Sequence, residues 1–185
     1  MRALVIYESM YGCTRLVASR IAEGLRPVFD VAAVPATAAT EVLAASADLL
    51  VVGCPTHTHR MPTPATRKMA RAAAAKPGSA LVMDPASDAG GVREWLDSLA
   101  PARDGQLAVT FDTRVAGIPA LTGRASRGVS RALSNRGYRL IVAPESFLVD
   151  KRNALAAGEQ MRAFEWGRMV AGLASLRLHS VASHA

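Results

Sequence analysis

A chain of 185 residues, half of them hydrophobic and a fifth charged, has the size and composition of one globular domain with a real core and is not disordered. Two cysteines make no disulfide framework and predict a reducing cytoplasm, while the apolar run before Glu8 is too short for a signal core and none reaches a membrane span. The net charge of +7 is a sequence-level clue to anionic partners, not to fold.

The run Ala3-Leu4-Val5-Ile6-Tyr7 predicts a buried first strand. Glu8-Ser9-Met10-Tyr11-Gly12-Cys13 is then a polar turn, and Thr14 begins a helix. The first N–H groups of a helix have no partners inside it, and its dipole favours negative charge there. With hydroxyls at Ser9, Tyr11 and Thr14, this strand–turn–helix predicts a phosphate cradle. Leu16, Val17, Ile21, Ala22 and Leu25 give the helix one apolar face, and Arg26-Pro27 ends it. A second strand is expected from Val28 to Val34, and a short helix from Thr40 to Ser46 with Thr40 as N-cap.

Asp48 to Cys54 reads as a strand covered on both faces. It ends in the polar loop Pro55 to Pro62. Pro64 fits the first turn of a helix running to about Ala75, closed by Lys76-Pro77-Gly78. From Ser79 to Gly91 the pattern is open between a short strand at Ala80 to Met83 and an irregular connection or lid. Val92 to Leu99 reads as a helix, and Gln106 to Phe111 as a strand ending in Asp112-Thr113-Arg114. Gly117 to Leu121 is a loop. A helix starts at Thr122 or Gly123 and stops at Asn135-Arg136-Gly137, with Gly137 in the left-handed region. A last strand, Tyr138 to Val142, is interrupted at Pro144 and resumes as Ser146 to Val149. The final helix is expected from Leu155 to about Leu176, its inner stripe Met161, Phe164, Met169, Val170 and Leu173, with 179–185 a frayed tail after a single domain over 1–178.

Strands alternating with helices predict a three-layer, doubly wound α/β fold with a parallel sheet. Ligands of such sheets sit beyond the carboxyl ends of the strands. The charge is uneven. No acid lies between Asp48 and Asp84, where Arg60, Arg67, Lys68, Arg71 and Lys76 occur. None lies between Asp112 and Glu145, a span holding Arg114, Arg124, Arg127, Arg131, Arg136 and Arg139. These runs suit an anionic ligand, an acidic partner or nucleic acid, or are simply arginine-rich helix faces; sparse aromatic residues argue against nucleic acid.

Cys13 stands near a helix N-terminus, where a thiolate is stabilised, and Cys54 ends an apolar strand as a small hydrophobe. With His57 and His59 they compose a Cys/Cys/His/His set, but the spacing is poor for zinc and no metal is assigned. No Ser-His-Asp order, HExxH, GxSxG or Walker lysine motif is present. Asp112 either accepts from a ligand or caps its own loop; Arg114 either pairs with Asp112 or stacks on a ligand. Trp95 and Trp166 fall within helical patterns and are assigned to packing, and His179 and His184 to the tail.

The opening VIYESMYGCT, the exits DLLVVGCPTHTH and VTFDTR, and the closing ESFLV before a long helix resemble the flavodoxin family, closest to flavodoxin-domain proteins of high-GC bacteria. The resemblance implies a five-stranded sheet in the order 2-1-3-4-5 with flavin mononucleotide (FMN) at its carboxyl edge. Matched residue by residue, it implies a phosphate loop of Ser9, Met10, Tyr11, Gly12, Cys13 and Thr14. The second flavin loop is Pro55, Thr56, His57, Thr58 and His59 through Met61, and the third Phe111, Asp112, Thr113 and Arg114. Tyr11 replaces a central Thr of the family pattern, Cys13 a frequent Asn, and no aromatic residue stands ready to stack on the ring. Positive charge at Arg60 and Arg114 is expected to stabilise a reduced anionic flavin and raise its potential. The implied function is redox: electron transfer, or NAD(P)H-dependent reduction of a small acceptor such as a quinone. The alternative is a domain of the same fold that has lost FMN and serves as an anion-binding or interaction module. Oligomeric state stays open.

Overall fold

The computed structural model describes residues 1–87, 90–118, 122–150 and 152–182. Its sheet is built from β1 (Arg2–Tyr7), β2 (Asp30–Pro35), β3 (Leu49–Pro55), β4 (Leu107–Val115), β5 (Arg139–Leu140) and β6 (Glu145–Val149). The helices are α1 (Cys13–Leu25), α2 (Glu41–Ser46), α3 (Pro64–Ala74), α4 (Val92–Ser98), α5 (Ala125–Ser134) and α6 (Glu159–Ala182). All pairings within the sheet are parallel, in the order β2-β1-β3-β4-β5. This is the expected 2-1-3-4-5 order. The interrupted last strand becomes two short strands, β5 and β6, on the same edge of β4.

Strands β1 and β3 are buried along nearly their whole length, so their side chains alternate into two cores. One core joins Val5, Val51, Val109 and Phe147 to α1 and α6. The other joins Ile6, Val52 and Ala108 to α4 and α5. Helix starts follow local chemistry: the Thr40 hydroxyl accepts from Leu43 N at 3.2 Å, and Thr63 and Thr66 form a capping box at α3.

Two expectations are corrected and one open reading is settled. β4 continues four residues past Phe111, because β6 pairs with Phe111 to Val115; Asp112, Thr113 and Arg114 are strand, not loop. Of the two readings open for Ala80 to Met83 the irregular connection holds, and a 3-10 turn follows at Pro85–Ser87. α6 begins at Glu159, later than the pattern placed it, and extends to Ala182, leaving His184 and the end of the expected tail outside the described residues. Leu121, the end of the expected 117–121 loop, is also outside them.

The inner face of α6 also differs. Met161 and Met169 are exposed, while Ala163, Trp166, Val170, Ala171 and Ala174 are buried. Backbone proximity selects this face. A Cβ on Gly24 would meet the Phe164 carbonyl at 2.3 Å, and one on Gly167 the Ile21 carbonyl at 2.5 Å. Helices this close admit alanine and glycine between them, not methionine. Trp166 fills the end of the contact, edge-on to Phe147 with centroids 6.1 Å apart.

Candidate functional site

At the exit of β1 the chain turns through Gly12, whose φ of 91° is left-handed. The Ser9 hydroxyl, buried beneath the turn, accepts the Gly12 N–H at 3.1 Å. The Tyr11 hydroxyl donates to the Ala70 carbonyl at 2.9 Å, which pins its ring to α3. The N–H groups of Tyr11, Cys13, Thr14 and Arg15 find no acceptor among the described residues. These are the donors a helix start offers an anion.

Tyr11, Cys13 and Thr14 border a cavity of about 60 Å³. Met10, Tyr11, Cys13 and Thr14 form one wall, and Pro55, Thr56 and His57 another. Thr113, Arg114, Val115, Val149 and Asn153 complete it. Thr14 and Thr113 share a hydrogen bond of 2.8 Å between hydroxyls, tying α1 to β4. The Cys13 thiol donates to the Asn153 carbonyl at 2.9 Å, and burial raises its pKa. It is a protonated wall group, not the thiolate that helix position alone suggested. Sequence reasoning missed Val115, Val149 and Asn153. A signal for Asn153 existed: Asp150 Oδ1 accepts from Arg152 N and Ala154 N, an Asx-type turn that holds Asn153 at φ 58°.

The second loop is a tight turn. His57 N donates to Arg60 O at 2.9 Å and Arg60 N to His57 O at 3.1 Å, with Thr58 and His59 both at positive φ. Two non-glycine residues in that region mark stored strain. The turn leans on the segment before α5: His59 bridges Gly123, and the Thr56 hydroxyl accepts from Ala125 N at 3.0 Å. A Cβ on Gly123 would lie 2.2 Å from His59 Cα. His57 lines the cavity; burial, then the charge of Arg67, lowers its pKa and keeps it neutral at pH 7. Thr58 and His59 sit at the exposed tip.

The third group divides. Phe111 is fully buried with its ring on Gly53, and Asp112 is fully buried beneath α5. Asp112 accepts the Ser126 N–H at 2.9 Å and the Ser126 hydroxyl. It therefore caps α5 from inside and does not cap its own loop, while Oδ1 stays buried without a partner among the described residues; burial raises its pKa. Arg114 forms no ion pair with Asp112. Its Nη1 donates to Gly117 O at 3.0 Å and Thr122 Oγ1 at 2.9 Å, bracing the chain beyond β4.

Under the first loop lies a charge network that the sequence pattern did not reveal. Arg67 on α3, 3% exposed, donates to Glu8 at 2.7 and 3.2 Å and to Glu94 at 2.9 and 2.8 Å. Glu8 also accepts Val92 N at 2.9 Å, so β1, α3 and α4 meet at one guanidinium. The segment after α3 docks here too: Asp84 N donates to Met10 O at 2.7 Å, and its carboxylate pairs with Arg15 at 2.9 Å. Cys54 is sealed in the core, where burial, with the charges of Glu8 and Asp112, pushes its thiol well up. Among the described residues no three His, Cys, Asp or Glu side chains could hold a metal.

Known structures share this architecture. An archaeal flavodoxin is 16% identical, with a TM-score of 0.64 over 95% of this chain and 99% of its own. The chain has the flavodoxin-like fold. Flavodoxin 1 from Bacillus cereus is 14% identical, with a TM-score of 0.60 over 90% of this chain and 95% of its own. A WrbA-like flavodoxin from Agrobacterium tumefaciens is 18% identical, with a TM-score of 0.58 over 95% and 98%. No family model matches the chain, and no curated protein does. Among the described residues no helix is long and apolar enough to cross a membrane.

Proposed function

We infer that the protein is an FMN-binding redox protein of the flavodoxin-like fold, working in the cytoplasm. One observation carries the reading: the uncommitted N–H groups at the start of α1 open on a cavity to which the exits of β1, β3 and β4 all contribute. The phosphate end fits. Tyr11, Cys13, Thr14 and Arg15 supply main-chain donors, with the Thr14 and Thr113 hydroxyls beside them. The ring end fits only after movement, since a cavity of about 60 Å³ is far below the size of ordinary cofactor sites. The contact of the turn at 57–60 with Gly123 would have to part for the ring to enter between that turn and the end of β4. Bound flavin would supply hydride and one-electron chemistry. The chain's own part is to anchor the phosphate, exclude water with Met10 and Val149, and set the ring's surroundings with neutral His57 and the charges of Arg60 and Arg114. A nicotinamide nucleotide as donor and a quinone-like acceptor complete the enzyme version, on analogy and charge.

A second reading, a flavin-free module that binds a small anion or a protein, is favoured by the contact of His59 with Gly123. Titration of the purified protein with FMN and, separately, riboflavin decides between them. The first reading expects quenching of flavin fluorescence at micromolar protein, with Thr14→Ala weakening FMN about tenfold and leaving riboflavin unchanged. A colourless protein that quenches neither flavin supports the second.

A further inference from the structure

We propose that the face formed by the turn at 57–60, α4 and α5 docks an acidic protein. The inference goes beyond the flavin reading and stands without it. The two acid-free runs of the sequence are distant along the chain, yet the fold brings the turn of the first against the start of α5 in the second. His59 bridges Gly123, Thr56 accepts from Ala125, and Met61 Cε would stand 3.2 Å from a Cβ on Gly128. Arg93 of α4 closes the seam, donating to Pro62 O at 3.0 Å and Met61 O at 3.1 Å.

The outcome is a cluster of uncompensated charge. α5 buries Ala125, Val129 and Leu133, which leaves Arg127 and Arg131, one turn apart, exposed on its outer side. Arg60 is exposed on the turn. Arg124, which precedes α5, has its Nε buried without a partner among the described residues. None of Arg60, Arg124, Arg127 and Arg131 pairs with a described acid. Of the acids of this side, Glu94 is held by Arg67 and Asp112 is sealed under α5; Asp97, one turn beyond Arg93, is exposed on the α4 part of the face.

The form of the patch selects the class of partner. α5 arginines line none of the described cavities, so a small anion has no enclosed seat there. Trp95 and Tyr138 are buried, so single-stranded nucleic acid has no aromatic platform. An open field of arginines suits an acidic protein surface, which it steers into place by long-range attraction. His57 belongs both to this turn and to the cavity wall, so the partner would rest beside the cavity mouth.

Surface plasmon resonance tests this with three immobilised probes: an acidic plant-type ferredoxin, a basic cytochrome c, and a DNA duplex of about 20 base pairs. The expected result is binding to ferredoxin, weakened at least about tenfold between about 20 and 200 mM salt, with none to cytochrome c. Arg127→Glu/Arg131→Glu is expected to weaken ferredoxin binding about tenfold or more. Arg168→Glu/Arg177→Glu changes net charge equally but on the far side of the sheet, and is expected to leave binding within about twofold. Equal losses from both double variants would mean net charge alone is sensed and would overturn the proposal. So would tighter binding to the duplex than to ferredoxin, lost in Arg127→Glu/Arg131→Glu, which identifies a nucleic-acid face. Circular dichroism melts confirm that the compared variants are folded.

Discussion

The exit of β1 and the turn at 57–60 face each other across one cavity, and different forces hold them. The first is braced by side chains: Ser9 beneath Gly12, Thr14 on Thr113, Asp84 on Arg15, and Arg67 between Glu8 and Glu94. The second is held mainly by backbone, through two reciprocal main-chain bonds, two left-handed residues and a bridge to Gly123. Buried charge networks resist displacement because a separated partner stays buried and unpaired. The turn is also tied to its surroundings by Thr56 on Ala125 and by Arg93 on Met61 and Pro62, but it holds two non-glycine residues in left-handed conformations. The exit of β1 is thus the more firmly braced of the two walls.

Removing the brace gives the largest expected effect. Arg67→Ala strands the buried Glu8 carboxylate and should lower stability by about 3–5 kcal/mol in urea unfolding. A loss below about 1 kcal/mol would show that the first loop stands without the network. Next is the latch. Gly123→Ala places a Cβ on the His59 backbone at a left-handed φ, and should cost about 1–3 kcal/mol. Hydrogen exchange at the His57 and Arg60 amides should quicken while the exchange of β1 is unchanged; equal acceleration in both would erase the contrast. The smallest effect is in acid. Burial works against the charged form of Glu94, and the bonds from Arg67 more than offset it, so its pKa lies below the ordinary value. A depressed carboxylate stabilises above its unfolded pKa, about 4.3, and the gain fades as pH falls through the folded value. Glu94 is partly exposed and its ion pair is screened, so Glu94→Gln should lower stability at pH 7 by less than about 1 kcal/mol and narrow the gap to the parent protein below about pH 4.

What could be read in the sequence was local. The apolar runs of β1 and β3, the Thr40 cap and the Gly12 turn each announce themselves within a few residues; alternation then gives a parallel sheet between helices, while its strand order came from the family resemblance. Sites set by distant pairing were not legible. Asp112 looked like a loop residue because nothing near it announces that β6 would extend β4 past it. Arg67 looked like one more surface cation because Glu8 is 59 residues away. The exposed methionines of α6 matched a core stripe, and only the glycine contacts with α1 decide which side faces inward.

Those contacts bear on how the molecule comes into being. α1 follows β1 and α6 follows β6, so this close backbone packing joins elements far apart in the sequence. During synthesis the Gly24 face of α1 stays uncovered until α6 has emerged. Val149 and Asn153, which close the cavity, arrive just before that helix. The nascent chain can hold the first strands and the Gly12 turn, but the cavity has all its walls only after Val149 and Asn153 have emerged. A truncation within α6 would uncover α1 and lower stability, although none of its residues lines the cavity.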